Sequence, residues 1–144
     1  MSMYVQDVKP DRDADTPKLR IVVADDNAAY LNEICGLLEK HYEVVAQAVN
    51  GLECVEAVQR LSPSVVVTDV SMPKMNGIEA ARQITKSSPE AKVVILSAYD
   101  DPAFVEAALD AGASAYVMKL FALEELVPAV EAVLAGRSCF PAFK

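Results

Sequence analysis

Five times along the chain a short apolar run gives way to a stretch with helical spacing, and this alternation limits the folds open to it. The strand-like runs are Leu19 to Ala24, Glu43 to Val49, Val65 to Thr68, Lys92 to Leu96 and Ala115 to Met118. Three of them are near-continuously apolar, as strands buried on both faces are. The first helical stretch, about Asn27 to Lys40, sets Tyr30, Leu31, Ile34, Leu37 and Leu38 on one face. The second, about Leu52 to Leu61, and the third, about Ile78 to Lys86, follow the turn signals Asn50-Gly51 and Asn76-Gly77. The fourth opens at Pro102 and runs to about Leu109, and the fifth spans about Leu123 to Leu134. Such alternation predicts an α/β fold, a doubly wound five-stranded parallel sheet with helices on both faces. Right-handed crossovers and a single reversal give the strand order 2-1-3-4-5.

The rest of the composition narrows the function classes. With 144 residues, 53% of them hydrophobic, the chain suits one soluble domain with a full core. Residues 1–18 mix aspartate and proline, show neither periodicity and read as a mobile tail; 19–136 form the domain, and 137–144 a C-terminal tail or the start of a linker. No apolar run approaches the roughly 20 residues that span a bilayer, and no signal-peptide core is present, so a cytoplasmic protein without membrane partners is expected. Cys35, Cys54 and Cys139 form no CxxC pair and read as free, mostly packed thiols. A net charge of -8 disfavours direct nucleic-acid binding and suits a metal cation. His41 reads as a surface residue at a turn.

The candidate chemistry lies where the apolar strands stop. In "RIVVADDN" the chain leaves its first strand on Asp25 and Asp26, and in "VVVTDVSMPKMNG" it leaves the third on Asp69. Ser97 and Lys119 leave the fourth and fifth. In an open parallel sheet these carboxyl ends form one edge, and the ligand crevice lies there where the strand order reverses. Three carboxylates brought together repel by about 4 kcal/mol per pair at 4 Å and an effective dielectric near 20. Oxygen-only ligands favour a hard cation, and Mg²⁺ takes one or two carboxylates while keeping water for a phosphate. Three aspartates are then balanced by Mg²⁺ and Lys119, and a carboxylate so placed can attack phosphorus to give an aspartyl phosphate.

These residues resemble the receiver domain of two-component response regulators, a flavodoxin-like fold. The resemblance rests on the "DD" at 25 and 26, the aspartate of "TDVSMPKMNG" at 69, the hydroxyl of "LSA" at 97, the aromatic of "AYVMK" at 116 and Lys119. It implies that Asp69 is the phosphoacceptor. Asp26 and Asp69 would bind Mg²⁺ with the backbone carbonyl of Ser71, and Asp25 would act mainly through metal-bound water. Ser97 and Lys119 would each meet a phosphoryl oxygen, and Tyr116 would change rotamer as Ser97 moves. The implied partner is a histidine kinase or a phosphotransfer protein, with a homodimer as a further option, and the implied role is a signalling switch upstream of transcription control. The stretch from Ala108 to Pro141 is most similar to receivers that precede a LuxR-type helix-turn-helix. Either such an output domain belongs with this receiver or the chain acts by docking.

Leu120 stands where that family usually has proline, often with a cis bond. A cis bond before leucine would cost about 2.5 to 4 kcal/mol, so a trans bond is expected. Ala122 cannot cap the fifth helix and Pro128 falls inside it, so that helix is expected to begin late or kink. Residue by residue, blander readings stand beside the sharp ones: Asp25 or Asp26 as a cap of the first helix, Asp100 and Asp101 as caps of the fourth, Tyr116 as core, Lys119 as a surface charge. Ser71 and Tyr99 flank the site and are expected to tune the lifetime of the phosphoryl bond. Two other functions compete: a Mg²⁺-dependent aspartyl-phosphate hydrolase, whose Asp-x-Asp motif "ADDNAA" lacks, and a receiver that binds partners without phosphorylation.

Overall fold

The computed structural model describes residues 18–141, so the N-terminal segment lies outside it apart from Lys18, as do residues 142–144. Five strands alternate with five α-helices: β1 (Arg20–Ala24), α1 (Ala28–Leu38), β2 (Glu43–Ala48), α2 (Gly51–Leu61), β3 (Val65–Thr68), α3 (Gly77–Ser87), β4 (Lys92–Ser97), α4 (Pro102–Asp110), β5 (Ala115–Met118) and α5 (Ala122–Leu134). All strand pairings are parallel and the order is 2-1-3-4-5, as the sequence predicts. The bounds of β3 and β5 are those predicted, and the other ends differ by at most two residues.

Alternation along the strands divides the core in two. Val22, Val66, Val93 and Ile95 point to the face covered by α2, α3 and α4. Ile21, Val23, Val65, Val67, Val94, Leu96 and Val117 point to the face covered by α1 and α5. Every residue of β3 is buried, which is why that run contains no charge before its end. No helix among the described residues is long and apolar enough to cross a membrane. Cys35 and Cys54 are buried, Cys139 is exposed, and all are free thiols; His41 is also exposed.

Several local expectations are corrected. The Asn-Gly pairs do not make turns: Asn50 and Asn76 cap α2 and α3 through their side chains, and each glycine is the first helical residue. Asn27, rather than Asp25 or Asp26, caps α1. Of the acidic pair before Pro102, only Asp101 caps α4. The fifth helix does not begin late. A 3₁₀ turn over Lys119–Phe121 leads directly into it, so the chain is already wound when α5 starts and no capping side chain is needed. Pro128 sits inside α5 without ending it; Pro128 and Glu124, whose hydrogen bond the ring forfeits, are both exposed, where water can replace the missing donor. Among the described residues no peptide bond is cis, so the bond before Leu120 is trans, as expected.

Residues after α5 return to the sheet. The Cys139 N–H donates to the Ser114 carbonyl at 3.0 Å and the Tyr116 N–H donates to the Cys139 carbonyl at 2.9 Å, so part of the free edge of β5 is paired. On the other side of the site, Gly77 permits a close crossing: a Cβ there would lie 1.7 Å from the Asp69 carbonyl oxygen. Gly77→Ala is therefore expected to destabilise the fold by about 3 kcal/mol or more, since the obstacle is main chain that cannot rotate away. Urea unfolding checks this, and a variant within 0.5 kcal/mol of the parent, roughly the spread of a surface change, would show that the crossing is not tight.

Candidate functional site

Each acidic group reaches the site because its strand ends there and the ends are tied together. The Asp25 N–H donates to the Ala48 carbonyl at 3.0 Å, and the Asp69 N–H donates to the Ala24 carbonyl at 2.9 Å. These bonds continue the sheet pairing one residue past the strands and so hold the acidic residues in register. The Asp25 carboxylate accepts from the Asn27 N–H at 2.8 Å, and Asp69 Oδ1 accepts from the Val70 N–H at 2.7 Å. Oxygens of Asp25, Asp26 and Asp69 all lie within 4.8 Å of one another. Asp25 and Asp69 are buried and Asp26 is exposed, so the cluster has a closed inner wall and one solvent-facing member.

Lys119 enters from the 3₁₀ turn after β5. Its Nζ donates to Asp25 Oδ2 at 2.7 Å and lies 3.3 Å from Asp69 Oδ2. Ser97, fully buried at the end of β4, accepts from the Tyr99 N–H at 3.0 Å. The Tyr116 hydroxyl donates to the Tyr99 carbonyl at 2.7 Å, so the main chain of Tyr99 joins Ser97 to Tyr116. The Tyr116 ring lies in the core on the α4 side. Ser71 is exposed beside the cluster, its hydroxyl 3.5 Å from that of Tyr99, whose ring stacks on Phe104 at 5.0 Å. Asp26, Ser71, Asn76 and Phe104 line an open cleft of about 550 Å³ that leads to the cluster.

The electrostatics follow from burial and unequal numbers of charges. Burial pushes the Asp69 carboxyl above the ordinary carboxylate range and the charge of Asp25 adds to it, outweighing the opposing pull of Lys119. For Lys119, burial acts to lower the pKa, but the hydrogen bond to Asp25 and the charges of Asp69 and Asp25 raise it overall. The lysine is thus firmly protonated, yet one cation faces three carboxylates. A hard divalent cation fits this donor set, which contains only oxygens and has one exposed member.

Some contributors left little trace in the sequence. Thr68, buried at the end of β3, donates from its hydroxyl to the Asp69 carbonyl at 3.0 Å. Tyr30, predicted as part of a helix face, brings its ring to 4.4 Å from Lys119 Nζ. Helical spacing placed Tyr30 with the core residues, and nothing local to it pointed towards a lysine 89 positions away.

Residues 21–131 match the response regulator receiver domain family, and the chain belongs to it. It is a receiver domain of the two-component type. Among curated relatives, the transcriptional regulatory protein DegU of Brevibacillus brevis is 37% identical over 83% of this chain and 51% of its own length. The chemotaxis protein CheY of Thermotoga maritima is 37% identical over 79% of this chain and 96% of its own. A solved LuxR-family response regulator from Aurantimonas superposes with a TM-score of 0.81 at 36% identity, covering 85% of this chain and 89% of that one. The chain spans about half the length of DegU.

The raised pKa of Asp69 has a stability consequence with a definite sign. A carboxyl that holds its proton more tightly when folded favours the fold fully below its ordinary value of 3.8, and that contribution is lost as pH rises through the folded value. At pH 7 the Asp69 charge therefore opposes folding. In metal-free buffer Asp69→Asn is expected to raise Tm at pH 7 by a few degrees, the change that about 1 kcal/mol makes in a domain of this size. The gap should close as pH falls towards 3.8. Calorimetry across pH checks it; an Asn variant that melts lower at pH 7 would reverse the sign.

Proposed function

We propose that this receiver is a phosphorylation-dependent switch in which Asp69 accepts a phosphoryl group from a histidine kinase or phosphotransfer protein. The observation that carries this reading is the meeting of Asp25, Asp26 and Asp69 within 4.8 Å, with Lys119 at 2.7 Å from Asp25 and 3.3 Å from Asp69. Asp69 Oδ1 is engaged by the Val70 N–H, which leaves Oδ2 as the attacking atom. In the transfer an Oδ2–phosphorus bond forms as the donor's bond to phosphorus breaks, and the electron pair of that bond leaves with the donor. Lys119, already beside Oδ2, takes up one equatorial oxygen, and the Ser97 hydroxyl turns from the Tyr99 N–H to donate to another. Asp26, Asp69 and the Ser71 carbonyl would hold Mg²⁺, with Asp25 acting through its water; the ion supplies charge neutralisation for the incoming phosphoryl group.

Tyr99 couples the site to the surface in this reading. Its N–H would lose its acceptor when Ser97 turns, while its carbonyl holds the Tyr116 hydroxyl, so the main chain on both sides of the Tyr99 Cα would respond. The responding face carries exposed Leu120, Phe121 and Leu123, and an apolar cleft of about 560 Å³ lined by Tyr116, Phe121, Pro128 and Phe140. A partner or a second copy of the chain would dock there. One hydroxyl bond to a charged oxygen contributes about 1.5 to 3 kcal/mol. Moving an equilibrium from 1:99 to 99:1 needs about 5.5. Lys119 and a docked partner supply the remainder, so phosphorylation alone shifts the population incompletely.

Incubation with acetyl phosphate and Mg²⁺, followed by intact mass, tests the reading. The expected result is gain of one phosphoryl group, absent in Asp69→Ala and formed about tenfold or more slowly in Ser97→Ala, the factor that about 1.5 kcal/mol corresponds to. Steady turnover without stable modification would favour a hydrolase, and an inert wild type would favour a receiver that works without phosphorylation.

A further inference from the structure

The Lys119 ammonium has a third neighbour that carries no charge. Its Nζ lies 4.4 Å from the centroid of the Tyr30 ring, within cation–π range. Tyr30 stands in the first turn of α1, where its N–H donates to the capping Asn27 side chain at 3.0 Å. Its ring packs against the core shared by α1 and α5, so its position does not depend on Lys119. The hydroxyl is buried without a hydrogen-bond partner, and burial, then the charges of Asp25, Glu33 and Asp69, push it up to about 12. A neutral hydroxyl with no acceptor gives this site nothing that phenylalanine would lack. The ring face is what Lys119 meets.

The turn that carries Lys119 is not packed into the core. None of the residues of the 3₁₀ turn is buried, and Leu120, the residue that follows Lys119, is 81% exposed. At its own end the ammonium is in contact with Asp25, Asp69 and the Tyr30 ring. The carboxylate contacts must change if the lysine is to meet a phosphoryl oxygen. The ring contact need not change, because attraction to a ring face is not directed at one hydrogen and leaves all three donors of the ammonium free.

We propose that the Tyr30 ring is a positioning group that keeps the Lys119 ammonium over the acidic cluster while its hydrogen bonds pass from Asp25 to the phosphoryl group. This rests on the reading of Asp69 as phosphoacceptor. The Tyr30 hydroxyl has no hydrogen-bond partner and its ring meets the Lys119 ammonium, so in this proposal its effect is transmitted through Lys119.

The test uses the whole chain with Mg²⁺ and acetyl phosphate, comparing Tyr30→Phe, which keeps the ring and breaks no hydrogen bond, with Tyr30→Leu and Tyr30→Met, which remove it. Two readouts are taken: the rate of phosphoryl gain, and the Lys119 ε-methylene resonance, identified by its loss in Lys119→Arg. A ring face should shift that resonance upfield. The expected result is a rate within about twofold of wild type in Tyr30→Phe with the resonance unmoved. In both ring-less variants the rate should fall about fivefold, equivalent to about 1 kcal/mol, with the resonance moved downfield. Wild-type rates in Tyr30→Leu and Tyr30→Met would overturn the proposal, as would a loss in Tyr30→Phe equal to theirs. Should one ring-less variant fail to fold, the other decides. Failure of the phosphoacceptor reading looks different: wild type would gain no phosphoryl group, or Asp69→Ala would still gain one, whatever the Lys119 resonance shows.

Discussion

Three carboxylates gathered at one rim of a parallel sheet, with a single lysine to answer them, set the terms for the rest of this structure. At 4 Å and an effective dielectric near 20, each like-charged pair costs about 4 kcal/mol, comparable to a large part of a domain's net stability. The fold holds the cluster together because its two buried members are fixed through main-chain bonds. Asp25 is tied to the end of β2 and Asp69 to the end of β1, while Gly77 crosses the Asp69 carbonyl at a distance that admits no side chain. The apolar strands and the acidic rim are therefore parts of one arrangement. The buried runs make the sheet rigid, and the rigid sheet carries charges that would separate on a flexible loop.

The same rigidity gives the site its polarity. Lys119 closes the inner side against Asp25 and Asp69, and Asp26 and Ser71 face the open cleft. In the proposed switch, a divalent cation and a phosphoryl group both enter from that open side. In that proposal the signal would leave through the main chain of Tyr99, whose N–H and carbonyl are bonded to Ser97 and Tyr116. Tyr116 is bonded in turn to the segment after α5 through its own N–H. A change at the end of β4 is thus only two residues' contacts away from the edge of β5, the strand that leads into the turn carrying exposed Leu120 and Phe121.

Much of the fold was legible in the sequence because short apolar runs and helical stretches alternate five times: "VVVT", four residues long and β-branched, suits a short buried strand, and α1 shows an apolar stripe. The strand order followed from the parallel alternation, and with it the convergence of residues 25, 26, 69, 97 and 119. Local chemistry was harder to read. Asn-Gly signals a turn in isolation, yet at Asn50 and Asn76 the asparagine side chain accepts from a helix N–H and the glycine is used for close approach. Pro128 and the uncapped Ala122 suggested a delayed helix, because the 3₁₀ turn that starts α5 has no sequence signature of its own. The meeting of Tyr30 with Lys119 was invisible for another reason: it joins side chains from opposite ends of the chain, and amphipathic spacing says only that Tyr30 faces inward.

The central claim is that the acidic cluster is a cation site. Titration with Mn²⁺, a paramagnetic ion with the same preference for oxygen donors, tests it by the broadening of backbone amide resonances. The expected pattern is selective loss of signal at residues 25–27 and 69–71 at low ion concentration, reversed by excess Mg²⁺ and absent in Asp69→Ala. Broadening centred on other acidic surfaces, or none at these residues, would contradict it.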